Sequence, residues 1–158
     1  MIRILFVIFL ILSDQISKVF VVKNFSIGES LNILPIFDIF LILNTGIAFS
    51  LFDDGGSIGR WILVLLVFLV CLYLLYILAI ENLNQYESLS LLMILSGGIG
   101  NLLDRAFRGH VIDFIHIYYE SYSFYIFNLA DTFITIGVMI YIYNLVISNL
   151  SKNGNKVS

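Results

Sequence analysis

Four long apolar blocks succeed one another along this chain, each close to the roughly 20 residues a helix needs to cross a bilayer. The first runs from Ile2 to Val22 and is interrupted by Asp14 and Lys18. The second, Trp61 to Ile80, carries no charge. The third is shorter, from Ser88 to about Leu103, with Glu87 and Asp104 at its ends. The fourth extends from about Asn128 to Leu150 and carries only Asp131. Between the first two blocks, Asn24 to Leu51 is too irregular for a span. There "SLNILPIFDIFLILN" is interrupted at Asn32 and Asp38, and Pro35 would break a helix, so short strands or an interfacial segment are expected. "DDGGS" at Asp53 to Ser57 reads as a turn.

Composition turns these blocks into a class. The chain has 158 residues, 60% of them hydrophobic and 12% charged, with one Pro, which excludes an ordinary soluble domain and leaves room for a single integral membrane domain over residues 1–158. The net charge of −3 offers no basic surface, so nucleic acid is not expected as a partner. The lone Cys71 lies inside an apolar run and reads as lipid-facing or packing. One cysteine with His110 and His116 does not make a metal site, and no cofactor is expected. Both histidines, and the aromatics of "HIYYESYSFYIF", read as an interfacial belt. The opening "MIRILFVIFLILS" has signal-peptide proportions but lacks a small-x-small cleavage site, and its apolar character resumes at Val19 to Val22. Positive charges do not settle orientation: Arg3, Lys152 and Lys156 fall on one side, and Lys18, Lys23, Arg60, Arg105 and Arg108 on the other.

Charge near a bilayer is costly and usually marks function. Successive spans alternate in direction, so the end of the first and start of the second lie on the same face as the end of the third and start of the fourth. That brings together Asp14, Lys18, Asn44, Asn101, Asp104, Arg105, Asp113, Asn128 and Asp131. Helical spacing agrees. Asp14 and Lys18 are i,i+4, Asn101 shares a face with Asp104 and Arg105, and Asn128 and Asp131 are i,i+3. Each has a plainer reading: an interfacial ion pair for Asp14 and Lys18, a structural network for Asp104 with Arg105 or Arg108, a helix cap for Asp131. Asp113, set between Val111, Ile112, Phe114 and Ile115, resists one, because an isolated carboxylate in an apolar setting is desolvated. Asp113 and Asp131 on one face suggest paired-acid hydrolysis, in which two close carboxylates share one proton. Three rivals stand beside it: a proton or ion path, which predicts carboxylates spread through the bilayer depth; a serine–lysine peptidase using Ser17 or Ser50 with Lys18; and a non-enzymatic assembly subunit, which leaves the convergence unexplained.

Several short motifs carry a resemblance. "SDQISK" at Ser13 to Lys18 resembles D-Q-x-x-K; "NTGIAFS" at Asn44 to Ser50 resembles N-x-G-x-A-F-S; "GGIGNLLDRAFRGHVIDF" resembles G-N-x-x-D-R followed by G-x-V-x-D-F; and "FNLAD" at Phe127 to Asp131 resembles F-N-x-A-D. In this order, over about Ile2 to Leu150, they resemble the bacterial signal peptidase II (lipoprotein signal peptidase) family. The resemblance implies an all-α membrane protein of four transmembrane helices with a small extracytoplasmic β-sheet and interfacial helix inserted at about 24–58. It implies an aspartyl endopeptidase of the bacterial inner membrane, with cytoplasmic termini and an outward-facing site, that cuts prolipoproteins just before a diacylglyceryl-modified cysteine. Its partners would be that substrate and membrane lipid, and a monomer is expected. Carried over by position, Asp113 and Asp131 form the catalytic pair. Asp14, Lys18, Asn44, Gly46, Asn101, Asp104, Arg105, Asn128 and Ala130 support it. Ile47 stands where the family frequently has alanine. Asp104 competes with Asp113 for the pairing, but Arg105 and Arg108 beside it would hold it ionised and suit a structural role.

Overall fold

The computed structural model of the chain describes residues 1–46, 56–120 and 122–154. Its elements are α1 (Ile2–Asn24), β1 (Ser30–Leu34), β2 (Phe37–Asn44), α2 (Gly56–Ile80), α3 (Gln85–Phe107), β3 (Val111–Tyr119), β4 (Tyr122–Phe127) and α4 (Leu129–Gly154). All four helices contain segments long and apolar enough to cross a membrane. α3 is longer than the apolar block suggests, 23 residues rather than a stretch from Ser88 to Leu103. A capping box sets its start: the Asn84 side chain accepts from the N–H groups of Tyr86 and Glu87, and the Glu87 carboxylate accepts from the N–H of Asn84. Those polar residues lower the hydropathy of the turn they stabilise. At the far end, Arg60 of α2 donates to the carbonyls of Arg105 and Ala106, at 2.7 Å each, satisfying part of the last turn.

α3 is the central helix, flanked by α1, α2 and α4. Gly97 lies against Ala130 and Gly137 against Ser90, while Asn84 and Glu87 meet Asn144, so α3 and α4 run antiparallel. Glycines allow the approach: a Cβ at Gly97 would collide with the backbone oxygen of Ala130, and one at Gly137 would lie 2.8 Å from that of Ser90. The small residues of "SGGIG" thus pack helices of this chain. Cys71 is buried and its Sγ faces Gly98, so it packs. Gly97→Ala should lower the thermal unfolding midpoint in detergent, by an overpacking cost of about 1–3 kcal/mol, because a backbone carbonyl cannot retreat. Gly98→Ala, whose Cβ would meet only the thiol at 3.2 Å, should stay close to wild type in the same measurement.

The four strands form one antiparallel sheet in the order β1-β2-β3-β4. Residues 24–58 were expected to build the sheet. They supply β1 and β2, turning at Pro35 and Ile36, but the other half is the β3–β4 hairpin between α3 and α4. The "HIYYESYSFYIF" segment lies in β3 and β4, whose aromatics conceal the alternation that marks a strand. No interfacial helix occurs within residues 24–46. Ile47 to Ser50 of the second motif, and Asp53 to Gly55 of the expected turn, lie outside the described residues, while Gly56 and Ser57 begin α2.

One face of the sheet packs on the end of α1, where Val21 meets Leu41, Ile112 and Phe114 in a buried cluster. Alternation then fixes the other face. Ile42 pairs with Asp113 and Asn44 with Val111, so Asn44 and Asp113 share the face turned away from that cluster and toward the start of α4.

Candidate active site

Two charge systems meet where α1, α3, α4 and the sheet converge. The deeper one centres on Lys18, which is 0% exposed. Its Nζ lies 2.8 Å from Asp14 Oδ2, 2.7 Å from Asp104 Oδ2 and 3.1 Å from Asn101 Oδ1. Arg108 pairs with the other oxygen of Asp104 and donates to Gln15 Oε1 at 3.0 Å. The Gln15 amide donates to Asp14, Asp104 and the carbonyl of Gly100. Two cations thus face two carboxylates, a balance that a buried cluster requires. Asp14 also accepts from the Ala130 N–H at 2.9 Å, tying α1 to the first turn of α4. Gly100 leaves room for this: a Cβ there would lie 2.7 Å from Asp14 Oδ2.

The second system contains Asp113 and Asp131. Asn128 joins them: its Nδ2 donates to Asp113 Oδ1 at 2.6 Å and its backbone N–H to Asp131 Oδ2 at 3.2 Å. Its Oδ1 accepts from the Asp131 N–H at 3.0 Å, so Asn128 is the cap of α4 and Asp131 its reciprocal partner. Asp131 is therefore not itself the N-cap. Asn44 Nδ2 donates to Asp113 Oδ2 at 2.8 Å, while Asn44 Oδ1 accepts from the Gly46 N–H at 2.9 Å. Gly46 holds that turn at φ +105°, a conformation that favours glycine, and so aims the Asn44 amide at the carboxylate. Asn101 links the two systems: its oxygen faces Lys18, and its Nδ2 donates to Asp131 Oδ1 at 2.7 Å. Asp113 is 2% exposed and Asp131 partly exposed. Burial raises the Asp113 pKa above the ordinary carboxylate value, and the Asp131 charge adds to the rise against the Asn44 and Asn128 hydrogen bonds.

The structure thus gathers Asp14, Lys18, Asn44, Gly46, Asn101, Asp104, Asp113, Asn128, Ala130 and Asp131. Arg105 differs. It makes no salt bridge with Asp104 among the described residues; its Nη1 reaches only the Asn101 carbonyl, at 3.4 Å. The partners of Asp104 are Lys18 and Arg108, because on the helix Arg108 is i+4 from Asp104 while Arg105 is adjacent and points elsewhere. Gln15 and Arg60 were not anticipated as supporting residues. Gln15 adjoins Asp14 in the first motif, which was the available signal; Arg60 acts through distant carbonyls and left none.

Ser17 donates to the carbonyl of Asp14 at 2.7 Å, and Lys18 is surrounded by acceptors, so these two do not form a nucleophile–base pair. Ser50 lies outside the described residues. His116 Nε2 lies 2.7 Å from Ser123 Oγ and its Nδ1 3.7 Å from Asp38 Oδ2, across β2, β3 and β4. Asp38 is already hydrogen-bonded by Ser30 and Asn32, and Ser123 Oγ is within reach of the Phe124 carbonyl, so this is a cross-strand polar ladder.

A sequence model of a family described as signal peptidase (SPase) II matches residues 6–147. The chain is 33% identical over 153 residues to the lipoprotein signal peptidase of Shewanella loihica, covering 96% of this chain and 90% of that protein. It is 37% identical over 134 residues to the lipoprotein signal peptidase of Burkholderia thailandensis, covering 85% and 81%. Two solved structures, both bacterial membrane enzymes determined by the in meso method, superpose with TM-scores of 0.82 and 0.83 at 28% and 27% identity. The first match covers 90% of this chain and 91% of that one, the second 95% and 90%.

Proposed function

The chain belongs to the signal peptidase II family, a multi-pass membrane protease of lipoprotein maturation, and on that premise we propose that it cuts diacylglyceryl-modified prolipoproteins just before the lipid-bearing cysteine, using water activated between Asp113 and Asp131. The observation that carries this reading is the pair of carboxylates joined through Asn128, separated from the neutralised cluster around Lys18.

In this mechanism the pair holds one proton. The ionised carboxylate takes a proton from water, the resulting hydroxide attacks the scissile carbonyl, and the protonated carboxyl donates to the carbonyl oxygen. Collapse of the tetrahedral diol breaks the C–N bond. The proton taken from water passes to the departing amine, and as the new C=O forms one diol hydroxyl gives its proton to the other carboxylate, so the pair again holds a single proton. Asn44, Asn101 and Asn128 hold the carboxylates in place; Asp14, Lys18, Asp104 and Ala130 hold the helices that carry them. In this reading Arg105, partly buried near the same end of α3, contacts the substrate backbone. The reading includes a monomer in the bacterial inner membrane, with cytoplasmic termini and the sheet on the extracytoplasmic side.

Purified protein in detergent should cut a diacylglyceryl-modified precursor, with the new N-terminus at the modified cysteine by mass spectrometry, and should leave the unmodified precursor intact. Chelators and serine reagents should have no effect. Inhibition by a chelator, or cleavage elsewhere, would overturn the reading. The raised pKa of Asp113 keeps a proton in the pair at a pH where a free carboxyl has lost it. Activity should therefore persist above the ordinary carboxylate range and fall as pH rises through the upper step of the pair, read from the rate–pH profile.

A further inference from the structure

A cavity of about 510 Å³ opens between the end of α1 and the sheet, within the size range of small-molecule sites. It lies on the face of β2 and β3 opposite the aspartates. Leu41, Leu43 and Ile112 line it, whereas Asn44 and Asp113, at the alternate positions, point the other way. Its walls are apolar, and three basic side chains line it: Lys23 from the last turn of α1, Arg108 from the end of α3 and His110 from the turn before β3. Gly109 makes that turn at φ +87°. No carboxylate among the described residues lines the cavity. Asp104 holds Arg108 through one guanidinium nitrogen, and Glu29 accepts from the Ser26 N–H. Lys23 and His110 have no ion-pair partner among the described residues. Lys23 lies in the last turn of a helix long and apolar enough to cross a membrane, where a long cationic side chain is expected to reach the headgroups.

We propose that this cavity holds one anionic phospholipid of the leaflet that borders the sheet, its phosphate among Lys23, Arg108 and His110 and one acyl chain over Val22, Leu43 and Ile112. The charge pattern selects this occupant. A neutral diacylglyceryl group would leave the basic cluster unmatched, and a free phosphate would leave the apolar wall uncovered. The site is distinct from the one where the substrate is cut, since the sheet separates them. It lies under the turn that leads into β3, so an occupying lipid ties the strand bearing Asp113 to the bilayer surface.

The test uses delipidated full-length protein in detergent and native mass spectrometry with phosphatidylglycerol and phosphatidylcholine of identical chains. Wild type should retain the anionic lipid about tenfold better, and Lys23→Gln with His110→Gln should bring the two close to parity. Val22→Trp, at an exposed position of the groove wall, should weaken retention of phosphatidylglycerol while leaving the basic cluster intact. Neither inorganic phosphate nor a neutral diacylglycerol should displace the bound lipid. Equal binding of both lipids by wild type, an unchanged preference in the double variant, or displacement by phosphate alone would overturn the proposal. Because no arm reads cleavage, failure here is distinct from failure of the peptidase reading.

Discussion

Asp113→Asn and Asp131→Asn proteins should each fold and lose cleavage of a lipid-modified precursor by about a thousandfold or more, the scale expected when a group that moves a proton in the transition state is removed. The substitution keeps shape but turns one of two accepting oxygens into an NH2 that faces a donor, an Asn44 or Asn128 amide at Asp113 and the Asn101 amide or the Asn128 N–H at Asp131. The thermal midpoint should therefore fall, by about 1–3 kcal/mol of stability, without loss of the fold. Asp113→Asn has a second signature. Burial raises the folded pKa of Asp113 above its unfolded value, so the native state binds its proton more tightly. Wild-type stability should therefore fall as pH rises from the unfolded to the folded pKa, and Asp113→Asn should lose that slope. Unfolding followed across the acid range, alongside cleavage assays, reads both. A folded Asp113→Asn protein that still cuts, beside a folded Asp104→Asn protein that does not, would transfer the catalytic role to Asp104.

The other large effect is expected at Lys18. Lys18→Met removes the cation that stands between Asp14 and Asp104, leaving two buried carboxylates with only Arg108 opposite one of them. Removing one partner of a buried pair costs about 3–5 kcal/mol, because the uncompensated charge has no water to turn to. The variant should yield little folded protein, or unfold far below wild type in detergent. Adding Asp14→Asn should recover part of the loss, since one stranded charge is then gone, and the two substitutions should be strongly non-additive in a double-mutant cycle. Additive effects would mean that Lys18 and Asp14 do not stabilise one another.

Much of this site is legible in the chain, for identifiable reasons. The Asp14–Lys18 pair follows from helical spacing, and the gathering of Asn101, Asp104, Asp113, Asn128 and Asp131 follows from the alternation of spans. Asp113 stands out because an acid in an apolar strand has no plain explanation. Other parts were not legible. Asp104 has arginines at i+1 and i+4, and adjacency in sequence favours the wrong one; only helix rotation and the position of α1 select Arg108 and Lys18. The β3–β4 hairpin was hidden by aromatic residues on both faces, and the start of α3 by the polar residues that cap it.

The sequence by itself determined the class of the molecule, its four spans and the identity of the polar residues, because hydropathy, helical period and span alternation are local or topological properties that need no coordinates. It also determined, through motif order, which family the chain resembles. The tertiary structure alone decided how those residues divide between a neutralised cluster and a carboxylate pair. That division depends on which amide of Asn101 and Asn128 faces which oxygen, and on Gly46, Gly97 and Gly100 letting elements approach. Such contacts join positions as far apart as Asp14 and Ala130, and no local pattern encodes their distances.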